Sequence, residues 1–320
     1  MSENVEIIKG ASLWRDAWKR LLRNRLAVFG LVVLAIMVVA VTIGPAILRW
    51  TLGYEYDSIP SENELVQAMA PSFRHLMGTD DAGRDILARV LQGGRISLMV
   101  GIISTTVSLI IGVSYGATAG YLGGGIDNLM MRIVDILYSI PYILIVIVLL
   151  SFFGGPSTPE WIKWLSTTFG GAGNQALSQI FLLFFALGLV SWLTMARVVR
   201  GQILSLKNQE FVMAARSTGV STFGIIFRHL IPNALGPVIV YATLTVPSVM
   251  LTEAFLSFLG LGVQAPFASW GSLASDGIKN VAIFPWQLIF PGLTMALTLF
   301  SLNFLGDGLR DALDPQTRKF

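Results

Sequence analysis

The sequence predicts an all-α integral membrane protein with six transmembrane helices. Of its 320 residues, 54% are hydrophobic and only 13% are charged, against roughly 25% charged residues in an average soluble domain. The mean hydropathy is +0.69, and a soluble chain of this length could not bury so much apolar surface. Six strongly apolar stretches approach the roughly 20 residues that a helix needs to cross a bilayer. They centre on residues 27–48, 98–118, 136–153, 178–196, 237–258 and 286–305.

Lysine and arginine are distributed unevenly among the segments that connect these stretches. With the N-terminus inside, the four cytoplasmic segments carry six, one, five and three basic residues, which is 15 of the 22 in the chain. The positive-inside rule therefore predicts that both termini are cytoplasmic. The apolar run from Leu26 to Leu48 is too long for the core of a signal peptide, so we interpret it as the first span.

Five regions follow from these spans. They are a cytoplasmic interfacial helix (1–25), the first span (26–48), an extracytoplasmic segment (49–96), a five-helix core (97–306) and a cytoplasmic tail (307–320). In the first region Ser12 is a candidate N-cap, and Trp14, Trp18 and Leu21 recur at helical spacing among basic residues. This pattern predicts a helix on the inner leaflet, with a solvated basic tail as the alternative. In the third region, Asp80 or Asp81 is the expected cap of an amphipathic helix.

Composition excludes several kinds of chemistry. The chain has no cysteine, which removes disulfides, thiolate catalysis and cysteine metal sites. It has only two histidines, so a histidine-rich metal site is not expected. No lysine directly follows a glycine, so the phosphate-binding Walker A motif is absent and nucleotide hydrolysis of that kind is not expected.

A second motif, GxSxG, has two interpretations. Gly112, Ser114 and Gly116 match the nucleophile elbow of serine hydrolases, but both histidines lie outside the predicted spans, so an intramembrane serine protease is the weaker hypothesis. Gly112, Gly116 and Gly120 also recur every four residues, which predicts a seam where two membrane helices approach closely.

Ionisable residues and prolines inside spans are informative because both are costly there. Glu253 lies in the fifth span and is expected to line a water-filled path or to reach the interface. Arg132 and Asp135 have the spacing of an ion pair on one helix face. Three prolines are expected to bend their spans: Pro141, Pro247 and Pro291.

The polar interruption Gln209–Pro237 separates two strongly apolar segments on the predicted cytoplasmic side. It is too long for a tight turn and too short for a domain. It predicts two short helices that join at Gly219, where a left-handed residue can end a helix, and that stop at Pro232. Ala214 and Ala215 reduce side-chain bulk, which favours insertion into a groove of a partner protein.

Several stretches of the chain resemble one family of transport proteins. Met213-Ala214-Ala215, Gly219 and Ile231-Pro232 have the spacing of the EAA loop of bacterial ATP-binding cassette (ABC) importers. Four more stretches agree: LWRDAWKRLLRNRLAVFGL, GTDDAGRDILARVLQGGRISL, IPYILI and EAFLSFLGLGVQAPFASWG. From about Trp14 to Asp314, the chain resembles the C-type membrane subunit of dipeptide and oligopeptide importers (DppC/OppC-like). Met213 stands where the family pattern has glutamate, and His229 and Ile231 also depart from it.

The resemblance implies a type I ABC importer permease fold in the bacterial cytoplasmic membrane, with a cytoplasmic coupling helix in loop 201–235. It implies a second permease subunit, two ATPase subunits that carry ATP and Mg²⁺, and an extracytoplasmic binding protein. No cofactor is expected on this chain. The residues expected to couple to the ATPases are Glu210, Phe211, Met213, Ala214, Ala215, Arg216, Gly219, Arg228 and Pro232. Without the glutamate, coupling is expected to depend on shape more than on an ion pair.

Two further groups of residues are expected to be functional. Tyr138, Pro141, Glu253 and Phe255 are expected to line the translocation path. Asp80, Arg84, Asp85 and Trp270 are expected to contact the binding protein or the sister permease. Nickel chelates and opines remain alternative cargoes to peptides. An ion-coupled secondary transporter is the alternative mechanism, although it predicts facing acids and inverted repeats that the sequence lacks.

Overall fold

A computed structural model describes residues 13–59, 68–153, 158–170 and 175–313. In this part of the chain the structure is helical apart from connections and one isolated β-bridge between Thr79 and Asp85. Its helices are α1 (Leu13–Leu21), α2 (Arg25–Leu52), α3 (Ile86–Leu122), α4 (Gly124–Ser139), α5 (Tyr142–Phe153), α6 (Glu160–Gly170), α7 (Gln175–Leu206), α8 (Glu210–Ser217), α9 (Thr222–Gly224), a π-helical segment (Ile225–Leu230), α10 (Ile231–Phe258), α11 (Trp270–Lys279) and α12 (Trp286–Leu313).

Five of the described helical stretches are long and apolar enough to cross a bilayer, and the α4–α5 pair makes a sixth if it counts as one bent span. The predicted all-α membrane architecture is therefore confirmed by length and composition. The five-region division stays a prediction. The candidate cap Ser12 and the tail beyond residue 313 lie outside the described residues.

The first and last described helices, α1 and α12, are in contact. Asn24 caps α2 by accepting hydrogen bonds from the backbone N–H groups of Leu26 and Ala27. Ala17 and Leu21 of α1 pack with Ala27 and with Ala312 of α12 in one small apolar cluster. The C-terminal end of α1 therefore packs against the C-terminal end of α12, and the predicted orientation in the membrane stays a prediction.

The predicted glycine seam joins α3 to α7. A Cβ atom added at Gly112 would lie 2.6 Å from the Cβ of Met195, and one at Gly120 would lie 3.0 Å from the carbonyl oxygen of Arg200. At Gly116 it would overlap the carbonyl oxygen of Ala196. Only glycine allows the two backbones to come this close, so the packing interpretation of the motif is confirmed.

The third predicted span, residues 136–153, is broken. α4 and α5 meet at an angle of 91°, because Pro141 stands at the junction and cannot continue the backbone ladder of α4. Pro247 and Pro291, in contrast, lie inside the continuous helices α10 and α12.

Ion pairs between helices fix α4 on α7. The carboxylate of Asp127 accepts two hydrogen bonds from Arg200, at 2.6 and 2.7 Å. Asp135 pairs with Arg197 at 2.7 Å. The predicted pair of Asp135 with Arg132 is therefore wrong, because the rotation of α4 points Asp135 toward α7.

Candidate functional site

The predicted polar interruption forms a helical hairpin (residues 209–230). α8 ends in a left-handed residue, Gly219, whose φ is +80°. The N–H groups of Gly219 and Val220 donate to the carbonyls of Arg216 and Ala215, both at 3.1 Å. This pair of hydrogen bonds is a Schellman motif, which closes a helix C-terminus. Ser221 then caps the next helix through the N–H of Gly224.

One face of the hairpin is fixed to the protein core. Val212 and Ala215 of α8 are buried, together with Ile225, Ile226 and Leu230. They share one apolar cluster with Ala117 of α3 and with Met195, Val199 and Ile203 of α7. Ala215 therefore packs inside its own chain, and only Ala214 keeps its small side chain on the exposed face.

The opposite face of the hairpin presents apolar side chains to the outside. Met213 is 55% exposed and Phe223 is 69% exposed, and Phe211 and Phe227 are exposed as well. The rings of Phe223 and Phe227 contact each other with centroids 4.3 Å apart. This aromatic pair was not predicted from the sequence, although the i, i+4 spacing of Phe223 and Phe227 on a helix is a signal for it.

The hairpin does not stop at Pro232, so that prediction is wrong. Residues Thr222–Phe258 form one continuous helical stretch. In the π-helical segment, the N–H of Ile231 donates to the carbonyl of Ile226, five residues back. Pro232, which has no N–H to donate, follows directly after this wider π-helical turn.

Charged residues of the hairpin lie mostly on its surface. Glu210, Arg216 and Arg228 are exposed. The guanidinium of Arg216 lies 5.7 Å from the ring centroid of Tyr121 and donates to its hydroxyl at 3.4 Å. This contact turns Arg216 back toward α3, so its charge is partly engaged by its own chain.

The broken span opens a cavity of about 550 Å³ between α4, α5, α7 and α10. Tyr138 and Pro141 line it, and none of its described lining residues is charged. The place of Tyr138 and Pro141 on the translocation path stays a prediction. Tyr138 is hydrogen-bonded to Thr194, and the guanidinium of Arg197 lies 4.0 Å above its ring. The polar side chains of the lining are hydroxyls: Tyr138, Ser139, Tyr142, Ser191, Thr194, Tyr241, Thr245, Ser248 and Thr252.

Glu253 and Phe255 do not line this cavity, and their place on the translocation path stays a prediction. Glu253 is 1% exposed, and one of its carboxylate oxygens accepts hydrogen bonds from Ser257 and Ser269, both at 2.7 Å. Because Ser269 is the N-cap of α11, Glu253 joins α10 to α11. Phe255 is exposed elsewhere on α10.

The predicted outer contacts are largely engaged within the chain. Asp80 pairs with Arg84 at 2.8 Å and also with Arg89. Asp85 is buried, caps α3 by accepting from the N–H of Ala88 at 2.8 Å, and is hydrogen-bonded to Nδ1 of His75, also at 2.8 Å. Asp85, and not Asp80 or Asp81, is therefore the cap of this helix.

Trp270 is a core residue and not a contact residue. Its side chain is 1% exposed, and its Nε1 donates to the carbonyl of Val90 at 2.8 Å. Its backbone N–H donates to the hydroxyl of Ser97 at 2.9 Å. These bonds attach α11 to α3, which contradicts the prediction of an exposed outer contact.

The described residues give little support to a catalytic site. The hydroxyl of Ser114 donates to the carbonyl of Ile110 at 2.7 Å, within its own helix. His75 is engaged by Asp85 in the 68–85 segment. In the described ranges, no group of three acidic or histidine side chains could hold a metal ion. The geometry is that of a neutral cavity joined by one helix to an exposed apolar hairpin.

Comparisons with known proteins agree with this arrangement. Residues 86–319 match the family model described as binding-protein-dependent transport system inner membrane component. Residues 12–65 match the N-terminal TM domain of oligopeptide transport permease C. The oligopeptide transport system permease protein OppC of Haemophilus influenzae is 47% identical over 97% of this chain and 91% of that protein. The dipeptide transport system permease protein DppC of Bacillus subtilis is 43% identical over 96% of this chain and 87% of its own.

Two solved structures were also found, both of inward-facing conformations of the MetNI methionine ABC transporter. They are 18% and 19% identical, each with a TM-score of 0.49. They cover 70% and 72% of this chain, and 96% and 98% of the matched chains.

Proposed function

The chain belongs to the family of binding-protein-dependent transport system inner membrane components, and on that basis we propose that it is a permease subunit of an ABC importer for dipeptides or oligopeptides. The cargo is supported by relatives named as oligopeptide and dipeptide permeases, 42–47% identical over nearly the whole chain. We place it in the bacterial cytoplasmic membrane as a multi-pass subunit of the type I permease class.

The proposed assembly supplies what this chain lacks. A second permease completes the path, an extracytoplasmic binding protein delivers the peptide, and two ATPase subunits hydrolyse ATP with Mg²⁺. The sequence has no Walker A motif, so the energy enters through contact with another chain. Membership of the permease family supports this division of labour.

One observation carries the proposal: the helical stretch Thr222–Phe258 runs without a break from the exposed hairpin to the cavity. Phe227 and Tyr241 are 14 residues apart, which is about 21 Å at 1.5 Å per residue. Tyr241, Thr245, Ser248 and Thr252 then line the cavity along the same helix. A displacement of Phe223 and Phe227 by a partner therefore moves one wall of the cavity.

The cavity suits a cargo of variable side chains. A volume of about 550 Å³ is within the range of small-molecule sites. Several of its hydroxyls already donate to backbone carbonyls, but their oxygens can still accept hydrogen bonds from the N–H groups of a peptide backbone. Because none of its described lining residues is charged, the wall neither attracts nor repels a particular charged side chain.

The coupling role is tested by adding bulk to the exposed face of the hairpin. We expect Ala214→Trp to abolish ATP-driven uptake of a labelled peptide by the reconstituted importer, because the indole would hold the ATPase subunit away. Gly219→Pro should have the same effect, because φ is +80° there and proline requires about −65°. Thr51→Trp, also at an exposed helical position, is the matched control and should transport normally.

In the structure, Ala214 and not Ala215 is the alanine whose substitution tests coupling. Ala215→Trp would disrupt the buried cluster and so would report on folding rather than on coupling. Size-exclusion profiles and thermal midpoints must show that Ala214→Trp is folded. Normal ATP-driven uptake by both folded Ala214→Trp and Gly219→Pro would refute the coupling assignment.

A further inference from the structure

A second cavity, of about 320 Å³, lies between the C-terminal end of α2 and the first turns of α3. Its lining includes Pro45, Arg49, Glu55, Tyr56, Gln92 and Arg95. Unlike the cavity at the broken span, it contains two guanidinium groups and one carboxylate. Its position on α2, far from the hairpin and from the broken span, separates it from the proposed transport path.

Arg95 is held in place by a defect in α2. Pro45 has no N–H group, so the carbonyl of Val41, four residues earlier, loses its helical donor. The Nε of Arg95 donates to this carbonyl at 2.6 Å, and its Nη2 donates to the carbonyl of Thr42. These bonds satisfy the freed backbone and fix the guanidinium at the cavity.

The positive charge of Arg95 is not neutralised by these bonds. In the described part of the chain, each ion pair that involves a nearby acid is made by another base, such as Arg49 with Glu55. A guanidinium has five N–H donors, so Nη1 of Arg95 remains available to the cavity. An arginine in a membrane-spanning helix needs an anionic partner or water to offset its desolvation.

The residues at the mouth of the cavity are of types common at a membrane interface. Arg49 and Trp50, which is 88% exposed, follow directly after the apolar part of α2, and tryptophan and arginine are typical of that level of a bilayer. Ile43 and Ile47, just before them, are exposed as well. Arg49 pairs with Glu55 at 2.9 Å, and both side chains are accessible.

We propose that this cavity binds the headgroup of a phospholipid that joins a phosphodiester to an amine, as in phosphatidylethanolamine. The phosphate accepts hydrogen bonds from Nη1 of Arg95 and from Arg49, in the geometry that guanidinium groups favour. The ammonium group lies beside Glu55. The acyl chains run along the exposed apolar face of α2. The bound lipid supplies an anion that the described residues do not provide to Arg95.

Native mass spectrometry of the chain purified with its partner subunits tests this proposal. The delipidated complex is titrated with phosphatidylethanolamine, with phosphatidylglycerol and with chain-free glycerophosphoethanolamine. We expect phosphatidylethanolamine to bind best, and Arg95→Gln and Arg49→Ala each to weaken it about tenfold or more, the effect of losing a charged hydrogen bond. Glu55→Gln should remove the preference over phosphatidylglycerol. Lys279→Ala, an exposed base paired only with Asp276 in the described chain, should bind like the wild type.

Two outcomes would overturn the proposal. The first is that Arg49→Ala and Arg95→Gln bind phosphatidylethanolamine as tightly as Lys279→Ala does. The second is that glycerophosphoethanolamine binds as tightly as the lipid, which would identify a soluble phosphodiester as the ligand. If Arg95→Gln fails to fold, Arg49→Ala and Glu55→Gln still decide, because both positions are at the accessible mouth. The measurement does not depend on peptide uptake, so it stands or fails separately from the transport function.

Discussion

Replacing Gly112 by alanine tests the seam that holds the core together. The new Cβ would lie 2.6 Å from the Cβ of Met195 and 3.0 Å from the carbonyl oxygen of Trp192. Ordinary contact begins near 3.4 Å, so α3 and α7 must separate locally by about 0.8 Å. Met195 is fully buried, and its Cβ cannot move without the backbone of α7. Overpacking of this kind costs about 1–3 kcal/mol.

Gly201→Ala is the matched control because Gly201 is also helical and an added Cβ there meets nothing within 4 Å. Both substitutions gain about 1 kcal/mol of helix propensity. The difference between the two variants therefore isolates the packing cost. At about 2–4 °C per kcal/mol for large chains, the thermal midpoint of Gly112→Ala should lie about 2–12 °C below that of Gly201→Ala.

The assay is thermal unfolding of each purified variant in one detergent, followed by the size-exclusion peak or by tryptophan fluorescence. Gly120→Ala should be milder than Gly112→Ala, since its closest contacts begin at 3.0 Å. Equal midpoints for Gly112→Ala and Gly201→Ala would show that the two helices have room at the seam and would refute the close-packing argument.

Three shorter predictions follow from other contacts. Asp127→Asn should lower the thermal midpoint more than Asp135→Asn does. The first removes a bidentate, largely buried partner of Arg200, worth about 1.5–3 kcal/mol, and the second removes an exposed ion pair worth about 0–1 kcal/mol. Equal midpoints would contradict this. Met213→Ser should reduce ATP-driven uptake. Raising the salt concentration should leave wild-type uptake unchanged, because salt does not screen an apolar contact. Strong salt sensitivity of uptake would instead indicate an ion pair. Glu253→Gln should keep uptake within about twofold, since the amide oxygen still accepts the two serine hydrogen bonds; loss of uptake would favour a proton-coupled mechanism.

Local chemistry made several features predictable from the sequence. The apolar stretches are long enough to identify helices without any tertiary information. The four-residue spacing of Gly112, Gly116 and Gly120 marks one helix face, and the structure places α7 on it. Gly219 was predicted to end a helix because glycine alone adopts a positive φ at low cost, and its φ is +80°.

Rotation of helices about their axes was not predictable. The sequence places Glu253 in the fifth span, but it does not say that the side chain points to Ser269 and not to the cavity. Tryptophan is a residue type common at interfaces, yet Trp270 is buried against α3. The partner of Asp135 is Arg197, 62 residues away, and spacing within one helix cannot reveal such a contact.

The two walls of the cavity are held by different contacts. α4 is fixed to α7 by Asp127 and Arg200, and α7 is fixed to α3 by the glycine seam, so these helices form one packed body. The other wall is α10, which continues through the π-helical segment into the exposed hairpin. A partner that displaces the hairpin therefore acts on α10 and on the apolar cluster that the hairpin shares with α3 and α7. Because the cavity lies between α10 and the α4–α7 body, a tilt of α10 against that body changes the cavity width, which is the motion that an alternating-access permease requires.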